Sequence, residues 1–364
     1  MRDVAVVGFA QRQMREFDGS PNCIELLVPL LQELWEQTGW TKEDIGFWCS
    51  GSSDYLAGRS FSFVTAIDAL GAVPPISESH VEMDAAWALY EAWIKIQTGE
   101  ADTALVYGFG KSSASTLRRT LALQLDPYTL TPLWPDTVSI AGMQARLGIE
   151  QGVWSEKEMA EVAARSRTNA TGNEHAIRRG ETSIDDVLAQ ELLADPLRRW
   201  DCAPVTDGAA AIVIAATDTL PRTSPAIRPA VITGIAHCVD SPSLGLRDLT
   251  RSPSAERAGA AAGGASVGLA DVTVAELHAP FSHQELILRR ELGLGDDVRI
   301  NPSGGALGGN PMFSAGLIRI GEAARRIWSG EADKVLAHAT SGAALQQNLV
   351  CVMASGQARR PEER

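Results

Sequence analysis

Residues 98–112 read TGEADTALVYGFGKS, and residues 329–343 read SGEADKVLAHATSGA. Gly-Glu-Ala-Asp stands at 99–102 and again at 330–333. Each copy follows a long apolar helical stretch, DAAWALYEAWIKIQ (84–97) in the first case and SAGLIRIGEAARRIW (314–328) in the second. The openings match as well, RDVAVVGFA (2–10) being echoed by RPAVITGIA (228–236). The offsets nearly agree: 231 (330 minus 99) and 226 (228 minus 2). A repeat this long is no solenoid unit; it predicts two duplicated α/β halves packed together.

In each half a strand comes first, and later a helix, a tight Gly turn and a buried strand. Helix 84–97 carries Ala85, Ala86, Trp87, Leu89, Trp93, Ile94 and Ile96 around most of its circumference, which predicts burial between two sheets. Helix 314–328 keeps Arg319, Glu322, Arg325 and Arg326 among its apolar residues, which predicts one wetter face. Residues 112–200 lose the pattern, with Pro127, Pro132 and Pro135 ahead of a polar helical stretch, SEKEMAEVAARS (155–166). That stretch reads as a cap inserted over a site. The strand AAAIVIAA (209–216) then closes the first half. The expected division is 1–111 plus 201–222, a loop domain at 112–200, and 223–364.

The bulk numbers narrow the function. A net charge of −13 and the lack of a Lys/Arg run argue against nucleic acid and anionic membranes as partners. Five scattered cysteines without a Cys-x-x-Cys pair suit reduced thiols in a cytoplasm, with no zinc ribbon and no metal site expected. No apolar run is long enough to span a membrane. GFGKSS (108–113) lacks both the first glycine of a phosphate loop and the third of a dinucleotide fingerprint, so both nucleotide readings fail.

WDCAPVTDGAAAIVIAATD (200–218), VAELHAPFSHQEL (274–286) and INPSGGALGGNPMFSAG (300–316) resemble, in order, three segments of the thiolase superfamily. They look like its Asp-Gly-Ala-Ala strand, its Asn-Glu-Ala-Phe segment in a His-containing version, and its Gly-Gly…Gly-His-Pro segment. The resemblance implies an α/β, five-layered αβαβα fold. It also places the family's nucleophilic cysteine at Glu82, where VEMDAAWALYEA has none. Cys49, in FWCSGSSDY (47–55), lies a whole β-α unit too early and is expected to be a small buried thiol. Gly-His-Pro has become Gly309-Asn310-Pro311, and Ser341 stands near the place of the family's second cysteine. A Claisen condensation through an acyl-cysteine is therefore not expected.

SHVEMDAAWALYEAW, HAPFSHQELILR and LAHATSGAALQQNLV are similar to the lipid-transfer-protein branch of thiolase-like proteins, whose known catalysts are steroid side-chain aldolases. That branch implies a retro-aldol cleavage of an acyl-CoA. A base takes the β-hydroxyl proton, the Cα–Cβ bond breaks, and donors hold the thioester enolate. No covalent intermediate is needed, and CoA enters only as part of the substrate, with no other cofactor. The resemblance puts His278 at an oxyanion-hole position and leaves His283 either functional or capping a helix. Glu82 and Asp84 are either bases or carboxylates complementing a helix N-terminus, which would depress their pKa. His80 belongs to the same stretch. Asn310 can donate where the family has histidine, and Ser341 either lines the pocket or satisfies a backbone group. Gly304 and Gly305, in SGGALGGN, are expected to fold backbone around a thioester, and Ser252 to lie near the CoA nucleotide. The branch's aldolases use tyrosines near the acyl pocket, whereas Tyr55, Tyr90, Tyr107 and Tyr128 all lie in the first half. Implied partners are a second copy or another thiolase-like chain, and a small zinc-ribbon/OB-fold companion. The alternative is a non-catalytic acyl-CoA-binding subunit supporting a partner chain.

Overall fold

The computed structural model describes residues 2–15, 22–57, 60–114, 116–220, 228–267, 269 and 271–356. The expected boundary at 222/223 lies outside them. The first half runs β1 (Val4–Arg15), α1 (Cys23–Thr38), β2 (Phe47–Gly51), α2 (Asp54–Ala57), α3 (Ser62–Leu70), β3 (Glu78–Val81), α4 (Ala85–Gln97) and β4 (Thr103–Lys111). Between β4 and the long strand β7 (Val205–Ala216) come α5 (Leu117–Ala122), α6 (Thr137–Glu150), α7 (Glu156–Asn169), α8 (Ile184–Leu188) and a ribbon of β5 (Leu192–Ala194) and β6 (Leu197–Arg198). The second half runs β8 (Ala230–Val239), α9 (Pro253–Val267), β9 (Val274–Leu277), α10 (Ser282–Glu291) and β10 (Arg299–Ile300). It continues through α11 (Gly305–Gly308), β11 (Asn310–Pro311), α12 (Ala315–Trp328), β12 (Lys334–Ser341) and β13 (Gln347–Ser355).

Duplication is written into the strand order. One half is ordered β1-β7-β4-β2-β3 and the other β8-β13-β12-β9-β10. In both, the first two contacts are antiparallel and the last two parallel. A short antiparallel contact, Ala5 with Val231 and Val6 with Ala230, joins the sheets.

Helices α4 and α12 form the layer between them. Ala86, Leu89, Ala92 and Ile96 of α4 pack with Leu317, Ile320, Ala324 and Ile327 of α12, against Val106 and Ile212 of one sheet and Val335 and Cys351 of the other. α1 and α3 cover the outer face of the first sheet, α9 and α10 that of the second. Five layers result, as expected. Alternation along β2 turns Trp48 to the outer layer and Cys49 to the central one.

α12 departs from the sequence reading. Its Arg319 and Glu322 are buried, not wet: Arg319 Nη1 meets Glu276 Oε2 of β9 at 3.0 Å and Ser303 Oγ at 2.7 Å. A charge with a partner on another strand is invisible to a helical pattern.

Asp84 links the two central helices. It is the N-cap of α4, accepting from Ala86 N at 2.9 Å, and it also accepts from Gly316 N (2.9 Å) and Leu317 N (3.1 Å) at the start of α12. Burial raises its pKa, and the three N–H donors oppose that rise, so the depressed value expected for a helix-end carboxylate is not found. Asp84→Ala leaves three buried N–H groups at two helix starts without an acceptor. It is expected to lower unfolding free energy by about 2–4 kcal/mol in urea titration, with Asp84→Asn losing less. Equal stability of Asp84→Ala and the parent would refute the double cap.

Candidate active site

The loop Gly309–Phe313 is laid onto the first half by close backbone contact. A Cβ at Gly110 would sit 2.1 Å from the Met312 carbonyl oxygen, and one at Gly108 2.4 Å from that of Phe313. β11 pairs with the start of β7, and Asn310 N donates to Thr206 Oγ1 at 2.8 Å. Phe313, at φ 66°, turns its carbonyl to Ala85 N at 2.8 Å. Asn310 is thereby fixed at the junction of the halves.

His278 reaches Asn310 from the end of β9. Thr340 N donates to its Nδ1 at 3.3 Å, so in the neutral ring the proton sits on Nε2. Nε2–H then donates to Asn310 Oδ1 at 2.8 Å. Burial holds the ring neutral, pushing its pKa down to about 3 against the opposing pull of the Asn310 bond. Because the Asn310 oxygen is taken, its NH2 group is left with no partner among the described residues. The pair is a neutral, oriented hydrogen-bond donor. It is not a base, since both ring nitrogens are committed.

Among the described residues no side-chain hydrogen bond ties the other candidates to this pair. Glu82 is exposed and faces His80, 3.6 Å from carboxylate to Nε2, while His80 Nδ1 meets Ser50 Oγ at 3.0 Å. Ser341, at the end of β12, is half-buried with no side-chain hydrogen bond among the described residues. His283 lies inside the first turn of α10, whose N-cap is Phe281, so it does not cap the helix. Its Nε2 bonds Gln144 Oε1 of α6 at 3.0 Å, and burial pushes its pKa to about 3. Ser252 is buried against Asn348 Nδ2 (3.1 Å). Gly304, at φ 96°, starts α11 and abuts Ala170 of the loop region, and Gly305 abuts Asn301. The N–H groups of Gly304, Gly305 and Gly308 bond inside the protein. Cys49 is fully buried, which pushes its thiol up to about 12. A 630 Å³ hollow lined by Trp40, Asp44, Gly99 and Asp102 lies elsewhere and touches none of the candidates.

Sequence reasoning missed Thr340 and Thr206. Thr340 acts through its main-chain N–H and has no side-chain signature, whereas Thr206 does stand beside the Asp-Gly-Ala-Ala motif.

A doubly repeated αβαβα frame, with paired side chains at the meeting of its halves, defines the class. No family model matches the chain. It is 27% identical over 218 residues to acetyl-CoA acetyltransferase of Methanothermobacter thermautotrophicus (54% of this chain, 56% of the relative). It is 26% identical over 351 residues to that of Methanocaldococcus jannaschii (88% and 89%). It is 26% identical over 318 residues to sterol carrier protein 2 of Bos taurus (77% and 58%). The chain thus spans little more than half the length of the first and third. Among solved structures, the Ltp2-ChsH2(DUF35) aldolase superposes with a TM-score of 0.79 at 19% identity, over 98% of each chain. Likeness along most of the chain to acetyl-CoA acetyltransferase and sterol carrier protein 2, together with the shared fold, supports membership of the thiolase superfamily. Among the described residues no helix is long and apolar enough to cross a membrane.

Proposed function

We propose that the chain is a carbon–carbon lyase cleaving a β-hydroxyacyl-CoA, the side chain of a steroid or similar polycycle, to a ketone and a short acyl-CoA. The observation that carries this reading is a thiolase frame that keeps an oriented donor, Asn310 held by His278, and has no cysteine where the nucleophile belongs. The β-hydroxyl loses its proton, the Cα–Cβ pair passes to Cα, and the thioester oxygen takes the enolate charge. Asn310 NH2 donates to that oxygen, and a proton returns to Cα. His278 cannot accept the first proton without breaking one of its two bonds, so we assign that step to Glu82, with His80 beside it. By analogy with the Ltp2-ChsH2(DUF35) neighbour, a DUF35-type companion, of zinc-ribbon/OB-fold build, is the proposed partner, on a dimer of this chain or a pair with another thiolase-like chain.

A second reading, a non-catalytic acyl-CoA-binding subunit, is favoured by one observation: Asp84 and both nitrogens of His278 are committed within the protein. One experiment separates the two. A 17-hydroxy steroid side-chain CoA ester is incubated with the protein, with and without co-expressed neighbours, and followed by mass spectrometry. Equimolar ketone and propionyl-CoA are expected, undiminished by prior iodoacetamide, because the buried thiols of Cys49, Cys202 and Cys351 are each pushed up to about 12. Intact ester despite tight binding supports the subunit reading, and loss of cleavage on alkylation would return a cysteine to the mechanism.

A further inference from the structure

Many arginines of this acidic chain rest on carboxylates: Arg165 on Glu285, Arg198 on Glu156, Arg319 on Glu276. Five in the segment between β4 and β7 have no carboxylate partner among the described residues, and three of these, Arg167, Arg178 and Arg199, are neighbours. Arg178 Nη1 donates to the carbonyl oxygens of Arg199 (3.1 Å) and Cys202 (2.6 Å). Arg167 lies over the neighbouring Trp200 ring, its guanidinium carbon 4.1 Å from the centroid, and its Nε donates to Thr182 Oγ1 at 2.9 Å. Arg199 itself is exposed, and its side chain has no partner among the described residues.

Burial, then the charges of Arg199 and Arg167, lower the Arg178 pKa to about 10, and no carboxylate offsets them. Like charges gathered without a counter-charge repel one another, and an anion placed among them reverses that cost. The donors remain available. Arg199 is exposed, and Arg167 and Arg178 are half-buried with no carboxylate partner among the described residues. The cluster also adjoins the candidate site, because Ile177 N and Arg178 N both donate to Gly308 O at 2.9 Å, two residues before Asn310.

We infer that Arg167, Arg178 and Arg199 form a binding site for a phosphate-bearing anion, a phosphomonoester or diphosphate, beside the candidate active site. Planar guanidinium forks match phosphate oxygens two at a time. The nucleotide end of a CoA ester is one source of that chemistry, and that assignment rests on the proposed function. A free phosphate compound is the other, and the site itself stands without the thioester reading.

The test is calorimetry on the full chain at low salt, with inorganic pyrophosphate and adenosine 3′,5′-bisphosphate as probes and CoA as competitor. Arg199→Ala, which removes no contact of the fold, and Arg167→Gln are each expected to weaken binding about tenfold. Arg299→Ala, which strips an arginine from an ion pair with Glu331 elsewhere, should leave it unchanged. Competition by CoA assigns the site to the thioester substrate. Pyrophosphate binding that depends on Arg199 but ignores CoA keeps the anion site and detaches it from the proposed reaction. No binding of either probe to the parent, or equal binding to Arg199→Ala, overturns the inference.

Discussion

Asn310→Ala is expected to lower kcat/KM for cleavage of the CoA ester by about 10²–10³-fold, the usual consequence of removing one donor from a developing oxyanion. The loss should fall mainly on kcat, because the bond strengthens only as charge moves onto the thioester oxygen. His278→Ala removes the partner that orients the amide and should give most of the same loss. The double variant should be scarcely worse than either single one, since the two side chains act as a unit. A second readout does not depend on turnover. The infrared stretch of a ¹³C-labelled thioester carbonyl in bound propionyl-CoA should lie lower in the parent than in either variant. Full activity in Asn310→Ala would place the oxyanion elsewhere. A silent His278→Ala beside a crippled Asn310→Ala would dismiss the orienting role and leave Asn310 acting alone.

Acid should unfold the protein early. His278 and His283 are held to pKa values of about 3, and His338 to about 4, all by burial. An unfolded histidine titrates near 6.5, so below that pH the unfolded chain binds protons that the folded one refuses. The stability tied to these rings is fully present above pH 6.5 and is lost progressively as pH falls toward 4 for His338 and toward 3 for His278 and His283. At pH 5.5 the three rings together account for roughly 4 kcal/mol. The buried carboxyls of Asp84 and Glu276, whose pKa values burial raises, act in the opposite sense. A variant isolates the histidine part: His283→Gln should reduce the proton uptake that accompanies urea unfolding at pH 5.5 by about one. Unchanged uptake would mean that His283 is already protonated in the folded state.

The duplication was legible because it rests on local chemistry. A helix, a turn glycine and a buried strand leave the same marks in both halves, and the matched strand orders follow from them. His278 and Asn310 were legible as residue types at resembled positions. Their division of labour was not, because it depends on the Thr340 main-chain N–H, which every non-proline residue possesses. His283 looked like a site residue for the opposite reason: its partner, Gln144, lies 139 residues away on a loop-region helix. Gly304 and Gly305 were read as facing a thioester, whereas the neighbours that forbid a side chain there are Ala170 and Asn301. Sequence pattern records which groups must be buried. It does not record what they are buried against.

Synthesis order sets a limit on when the central layer can close. The carboxylate of Asp84 is made early, while the N–H groups of Gly316 and Leu317 that it receives come 232 and 233 residues later. At about 5–20 residues per second, Asp84 waits roughly 10–50 seconds for those two donors. The apolar flank of α4 that later meets α12 waits just as long. Until the second half is made, the first half lacks the α12 wall against which its central layer packs.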